Sequence, residues 1–288
     1  MKGKGSAEPW KEGEGFRRKS CRERLKAAFT PQGDISRRVY ITFSILTFLC
    51  IGVLWSYLTW SGAVDRLFLP TLAKTLEAAK ILFVEQGYIL DIAVTVRRVM
   101  LGFLFTSLIS IPLGILIGTY RPIEAFFEPL FSFIRYLPVS AFIPLFILWI
   151  GIGEDQKVAV IIMGSLPPLI LMVAAGIKNI PPDLINVGYT LGTSRFTVLW
   201  KIILPACMPS VVDSLRMVLG WAWTYVVVAE MVGANSGIGY RIIQSQRMLN
   251  VANIFTGILC IGLIGLFFDI CFKLLYRVLF SWSESSRS

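Results

Sequence analysis

Residues 40–60 run for 21 positions without a charged side chain. As an α-helix that stretch spans about 31 Å, the thickness of the hydrocarbon core of a bilayer. Five further stretches read the same way. Residues 99–120 form a second uncharged run, with Gly114 and Gly118 spaced for close helix approach. A third, 126–153, is interrupted by Arg135, Pro138 and Pro144, and a fourth, 158–177, carries Pro167-Pro168. The fifth, 206–234, holds Asp213, Arg216 and Glu230, and the sixth, 254–280, holds Asp269. A backbone in hydrocarbon must satisfy its own hydrogen bonds, so such a chain is expected to be an all-α polytopic membrane protein of about six transmembrane helices.

Composition agrees. Only 16% of residues are charged and 55% are hydrophobic, against about 25% charged in soluble domains, which argues against a soluble enzyme. There is no histidine, so zinc or haem ligation and nucleophile activation through imidazole are excluded. The cysteines at 21, 50, 207, 260 and 271 form no ligand cluster; those in apolar runs read as small hydrophobes. No catalytic or metal-binding residues emerge. No G-x-x-x-x-G-K-[ST] phosphate loop is present either, so this chain cannot hydrolyse ATP by that chemistry.

Lysine and arginine set an orientation. With the N-terminus inside, cytoplasmic segments carry 18 and outer segments 8, with Arg135 and Arg216 inside spans. The positive-inside rule then places both termini in the cytoplasm. The parts follow: a basic arm 1–38, a first transmembrane helix 39–60, an outer segment 61–96, a five-helix core 97–282, and a tail 283–288. The arm reads as an orientation signal touching anionic lipid in preference to a nucleic-acid binder. In the outer segment Leu72, Leu76 and Ala79, and again Ile89, Ile92 and Val96, repeat at helical spacing, which predicts short amphipathic helices.

Between the fourth and fifth stretches lies a loop, 178–204. Pro181-Pro182-Asp183 is a helix start with a carboxylate at the positive end of the helix dipole. Leu184, Val187 and Leu191 share one face, Gly192 is a left-handed stop, and Thr193-Ser194 cap a second short helix beginning at Arg195. That helix presents Phe196, Leu199, Trp200 and Ile203 and ends before Pro205. The pair is either a surface element lying on lipid or a docking elbow for a cytoplasmic partner.

Gly192, nine residues, then Ile202-Ile203-Leu204-Pro205 resembles half of the signature in permease subunits of type I ABC importers. Residues 135–146, 151–154, 220–225 and 229–240 are similar to its nitrate, taurine, alkanesulfonate and bicarbonate branch. The resemblance covers residues 97–282. It implies that 178–204 is a coupling loop seated on an ATPase subunit, with Asp183, Leu184, Val187, Leu191, Gly192, Thr193, Ser194, Arg195, Leu204 and Pro205 at the contact. It further implies a bacterial plasma membrane location, an outer solute-binding protein and a second permease copy around a central path for a small anion. ATP and magnesium would belong to the ATPase, and this chain would carry no cofactor. The chain departs from the family where the signature reads Glu-Ala-Ala: here stand Asn186-Val187-Gly188, without the negative charge.

Ionisable groups at membrane depth are costly and point to function or to pairing. Arg135 and Arg216 each lie about 14–15 Å into their spans by helical rise. They either attract an anion in the pathway or pair with Glu128 and Asp213 on their own faces. Glu230, beside Gly233, Asn235, Gly237 and Gly239, reads as part of an outer gate on the same path or of an outer docking surface. Trp223, in an aromatic cluster with Trp221 and Tyr225, is either packing or a pathway wall. Asp269 has Lys273 one turn on. An ion-coupled secondary transporter remains the alternative and calls for inverted repeats and a midplane acidic site; neither is evident. A membrane-embedded enzyme would need Asp213 and Asp269 to converge.

Overall fold

The computed structural model describes residues 37–65 and 67–280. The basic arm up to residue 36 and the tail 283–288 lie outside them. The chain divides into two units, 1–63 and 64–288. The first contributes α1 (Arg37–Trp60), whose Leu46, Phe48 and Val53 are exposed, as a lipid-facing span requires.

The second unit begins with α2 (Leu72–Val84), capped at Thr71 by a hydroxyl accepting from the Lys74 N–H. Its buried face is Thr75, Ala78 and Leu82, not the expected Leu72–Leu76 face, and Leu76 is exposed. The carbonyl of Thr75 accepts from Thr256, so α2 turns toward the last helix. The predicted helix around 89–96 is not separate. It is the first part of α3 (Tyr88–Thr119), 32 residues long. That is about 48 Å, enough to project beyond the hydrocarbon.

The third apolar stretch is broken into α4 (Arg121–Ile134) and α5 (Val139–Ile150), which meet at 96°. Pro138 supplies no N–H and disfavours a helical residue before it, so the chain turns at residues 135–138 and restarts. Next come α6 (Glu154–Lys178), α7 (Pro182–Thr190) and α8 (Arg195–Val198). A π-helical turn, Leu199–Ile203, leads straight into α9 (Leu204–Met231). Finally α10 (Ile238–Arg247) precedes α11 (Val251–Leu279). Helices α1, α3, α6, α11 and the continuous 195–231 helix are each long and apolar enough to cross a bilayer, and the bent pair makes a sixth. No strand occurs among the described residues.

The tightest pair is α3 against α6. A Cβ on Gly114 would sit 2.7 Å from the Val173 side chain, and one on Gly118 2.8 Å from the Ala174 carbonyl. The Gly-x-x-x-Gly spacing therefore does what its pattern suggested: it brings two backbones together. Leu169, Val173 and Ile177 of α6 then pack with Cys207, Val211 and Val218 of α9 and with Val198 at the start of the elbow's second limb.

Candidate functional site

Three features stand out in the second unit. The first is the elbow. α7 ends at Thr190 with Leu191 as its C-cap, and Gly192 follows with φ of +74°, a conformation that a side chain disfavours. The Gly192 N–H donates to Tyr189, and the Thr193 hydroxyl donates to the Gly188 carbonyl. Ser194 caps the next helix by accepting from the Thr197 N–H. The second limb does not stop at Pro205. The Leu204 N–H donates to the carbonyl five residues back, at Leu199. This widened turn admits Pro205 without breaking the helix. The elbow's second limb and the span are thus one continuous helix from residue 195 to 231.

Leu184, Val187, Leu191, Phe196 and Trp200 stand exposed on the elbow, Leu191 at 76%. Leu199 and Ile203, expected on the outward face, pack into the core with Val198. Gly188 bears on the last position of the departure from Glu-Ala-Ala. A Cβ there would lie 2.5 Å from Ile202 and 3.3 Å from Val198. An alanine would require the terminal methyl of Ile202 to move aside.

The second feature is a cavity of about 890 Å³ at the α4–α5 break. Arg135, Tyr136 and Ser140 line one part, and Trp221, Thr224 and Tyr225 of α9 another. Arg135 donates to the Tyr136 hydroxyl at 2.9 Å and lies 4.9 Å from that ring's centre. It does not meet Glu128, which with Glu124 holds Lys178 at the end of α6. Among the described residues no carboxylate pairs with Arg135. Arg216 lies elsewhere, 3.1 Å from Asp269 and 3.5 Å from Asp213. Asp269 also meets Lys273 at 2.7 Å. The two aspartates do converge, but on a guanidinium, which leaves no shared carboxyl site for acid–base chemistry. Trp223 is buried against Phe268, facing away from the large cavity.

The third feature was not anticipated. Arg98, 1% exposed, donates through Nε to Glu154 at 2.7 Å, again to Glu154 through its second terminal nitrogen, and through Nη1 to Glu230 and the Ser236 carbonyl at 2.8 Å each. Glu230, wholly buried, also accepts from the Thr95 hydroxyl and the Gly239 N–H at 2.8 Å. The Gly237 N–H donates to Asp91 and the Ile238 N–H to Thr95. α10 has no local cap; side chains from α3 and α9 cap it instead. Glu230 is therefore a tie among α3, α6, α9 and α10, not a wall of the large cavity. The sequence carried one usable signal: Asp91, Thr95 and Arg98 recur at helical spacing at the end of a span.

Residues 110–282 match the family described as the binding-protein-dependent transport system inner membrane component. The chain belongs to that family. A probable ABC transporter permease protein of Brucella abortus is 36% identical over 230 residues, 80% of this chain and 91% of the relative. The taurine transport system permease TauC of Escherichia coli is 30% identical over 253 residues, covering 86% and 91%. The putative aliphatic sulfonates permease SsuC of Bacillus subtilis is 31% identical over 235 residues, covering 82% and 85%. In fold, the permease is similar to an inward-facing MetNI methionine ABC transporter, with a TM-score of 0.61 over 66% of this chain and 95% of that one at 19% identity. Family membership makes this an inner-membrane importer component that works with a binding protein and an ATPase.

Proposed function

We propose that two copies of this permease, or it and a homologous chain, form the path by which a small anion crosses the bacterial plasma membrane, with both termini cytoplasmic. An outer binding protein delivers the anion. ATP and magnesium are held and ATP is hydrolysed on separate ATPase subunits, and this chain carries no cofactor. The observation that carries the proposal is the elbow. Five large apolar side chains stand exposed around residue 192, and an unbroken helix from residue 195 joins two of them, Phe196 and Trp200, to the span that lines the cavity. Exposed apolar clusters of this kind mark protein contacts. A push on the elbow is transmitted to α9 as rigid-body motion, which suits gating between two states.

The anion reading rests on Arg135, the one charged side chain among the described residues lining the cavity, and on relatives named for taurine, sulfonates, nitrate and bicarbonate. An ion-coupled mechanism would need an acidic group free to titrate at membrane depth. Asp213 and Asp269 are instead bound to Arg216.

The test is co-purification with the ATPase and anion uptake per ATP hydrolysed in proteoliposomes, for Leu184→Asp and Leu191→Asp. Each substitution places a charge in the contact and is expected to release the ATPase or uncouple hydrolysis from uptake. If both variants bind and transport like the parent, the elbow is only a lipid-lying pair of helices and the mechanism fails.

A further inference from the structure

α4 carries a polar face through an otherwise apolar segment. Arg121, Glu124, Glu128, Ser132 and Arg135 recur at intervals of three or four residues, which puts them on one side of a helix. The remaining sides are apolar and of two kinds. Ile123, Phe127 and Phe131 pack with Ile117 of α3 and with Ile170 and Ala174 of α6, whereas Phe126, Leu130 and Phe133 stand exposed. The polar side borders a groove of about 530 Å³, lined by Arg121, Glu124, Glu128 and Ser132 together with Ala125 and Pro129.

The groove has a direction. Glu124 and Glu128 meet Lys178, the last residue of α6. One turn on, Phe131 packs with Ala174 and Ile170, and Arg135 lines the large cavity in company with Pro168 and Leu171. α4 therefore climbs alongside α6, from the end that leads into the elbow up to the cavity. At that depth the exposed phenylalanines suit lipid or protein, but a face of charges and hydroxyls is costly unless it meets water. The charges also balance. Arg121 and Lys178 oppose Glu124 and Glu128, so Lys178 cancels a carboxylate charge that would repel an anion coming off Arg135.

We infer that the polar face of α4 is a wall of the cytoplasmic exit. An anion released from Arg135 leaves past Ser132, Glu128 and Glu124. Lys178, held by Glu124 at 2.9 Å and Glu128 at 3.0 Å, keeps that exit electrically neutral. The inference rests on the reading of the chain as an anion importer and gives that path its inner half.

Two measurements on the permease–ATPase complex test it. In inside-out vesicles, Ser132→Cys and Leu130→Cys are treated with methanethiosulfonate ethylsulfonate, an impermeant anionic thiol reagent, and labelling is read above that of the parent's own cysteines. The reagent attacks a thiolate, which needs water, so Ser132→Cys is expected to react about tenfold faster than Leu130→Cys or more. Equal reactivity overturns the inference. In proteoliposomes with the binding protein, ATP-dependent uptake of nitrate, bicarbonate, taurine and methanesulfonate is compared for the parent, Lys178→Met and Lys178→Met with Glu128→Gln. The single variant leaves the exit one negative charge in excess and is expected to slow uptake of the transported anion about fivefold or more, with the ATPase still attached. The double variant is neutral again and is expected to recover most of the parental rate. Unchanged uptake in Lys178→Met, loss of its ATPase, or a double variant as slow as the single overturns the inference and leaves Lys178 a structural tie. Uptake by the parent with Ser132→Cys unreactive keeps the anion permease and removes only the exit. If the parent takes up none of the four anions, the anion reading itself falls and the exit with it.

Discussion

Glu230→Gln is the sharpest probe of the buried network, because it alters charge with almost no change of shape. In the native arrangement one carboxylate oxygen receives Arg98 and Thr95 and the other receives the Gly239 N–H. A glutamine turns one of those acceptors into a donor. Whichever way the amide is turned, an NH₂ then faces either the Gly239 N–H or the Arg98 guanidinium. The room for relaxation is small, since a Cβ on Gly237 would already lie 2.5 Å from the Glu230 carboxyl. Losing a hydrogen bond to a charged group costs about 1.5–3 kcal/mol, and a stranded buried donor costs about 1–3 more. Removing one partner of a buried ion pair costs about 3–5 kcal/mol as a whole. Both routes converge on a loss of about 3–5 kcal/mol.

The assay is reversible unfolding of the purified permease in mixed micelles with increasing denaturing detergent, read by tryptophan fluorescence. The parent is compared with Glu230→Gln, Arg98→Leu and the double variant. Arg98 and Glu230 share a contact, so their effects are not additive, and the loss in the double variant is expected to fall at least about 1 kcal/mol short of the summed losses of the singles. A Glu230→Gln protein within about 0.5 kcal/mol of the parent, with additive losses, would show that the network is surface decoration and that α10 is held by other contacts.

Three further outcomes follow from the geometry. At Gly192 there is open space around a would-be Cβ, so Gly192→Val costs only the backbone penalty of the left-handed region, about 1–2 kcal/mol. It should leave membrane insertion intact while lowering uptake per ATP hydrolysed. Gly188→Ala crowds Ile202 and should open the elbow at an overpacking cost of about 1–3 kcal/mol. Faster amide exchange at residues 193–198, reversed when Ile202→Val removes the offending methyl, is the signature. Arg135→Ala should lower anion uptake at least tenfold, about 1.4 kcal/mol at the transition state, with ATPase assembly preserved; unchanged uptake in an assembled complex would leave Arg135 as a surface cation.

Much of the fold could be read directly from residue order. Apolar runs of 20 or more residues leave a chain few options in a bilayer, so the spans at 40–60, 99–120 and 254–280 were visible as such. Local chemistry was equally legible where the constraint is local: Gly192 turns left-handed, Ser194 caps α8, and Lys273 meets Asp269. Each depends on neighbours within four residues.

What the sequence could not supply is which distant groups meet. Arg98 counted in the sequence as one more cation flanking a span, yet it is buried at the centre of a network, because its acceptors come from residues 154, 230 and 236. Glu128 lay within two turns of Arg135 but went to Lys178, since α4 packs along the end of α6 and Pro138 swings Arg135 into the cavity. Pro205 looked like a stop until a π turn absorbed it. Periodicity assigns residues to faces; which face a neighbouring helix covers, and which charge it brings, is settled only when the helices pack.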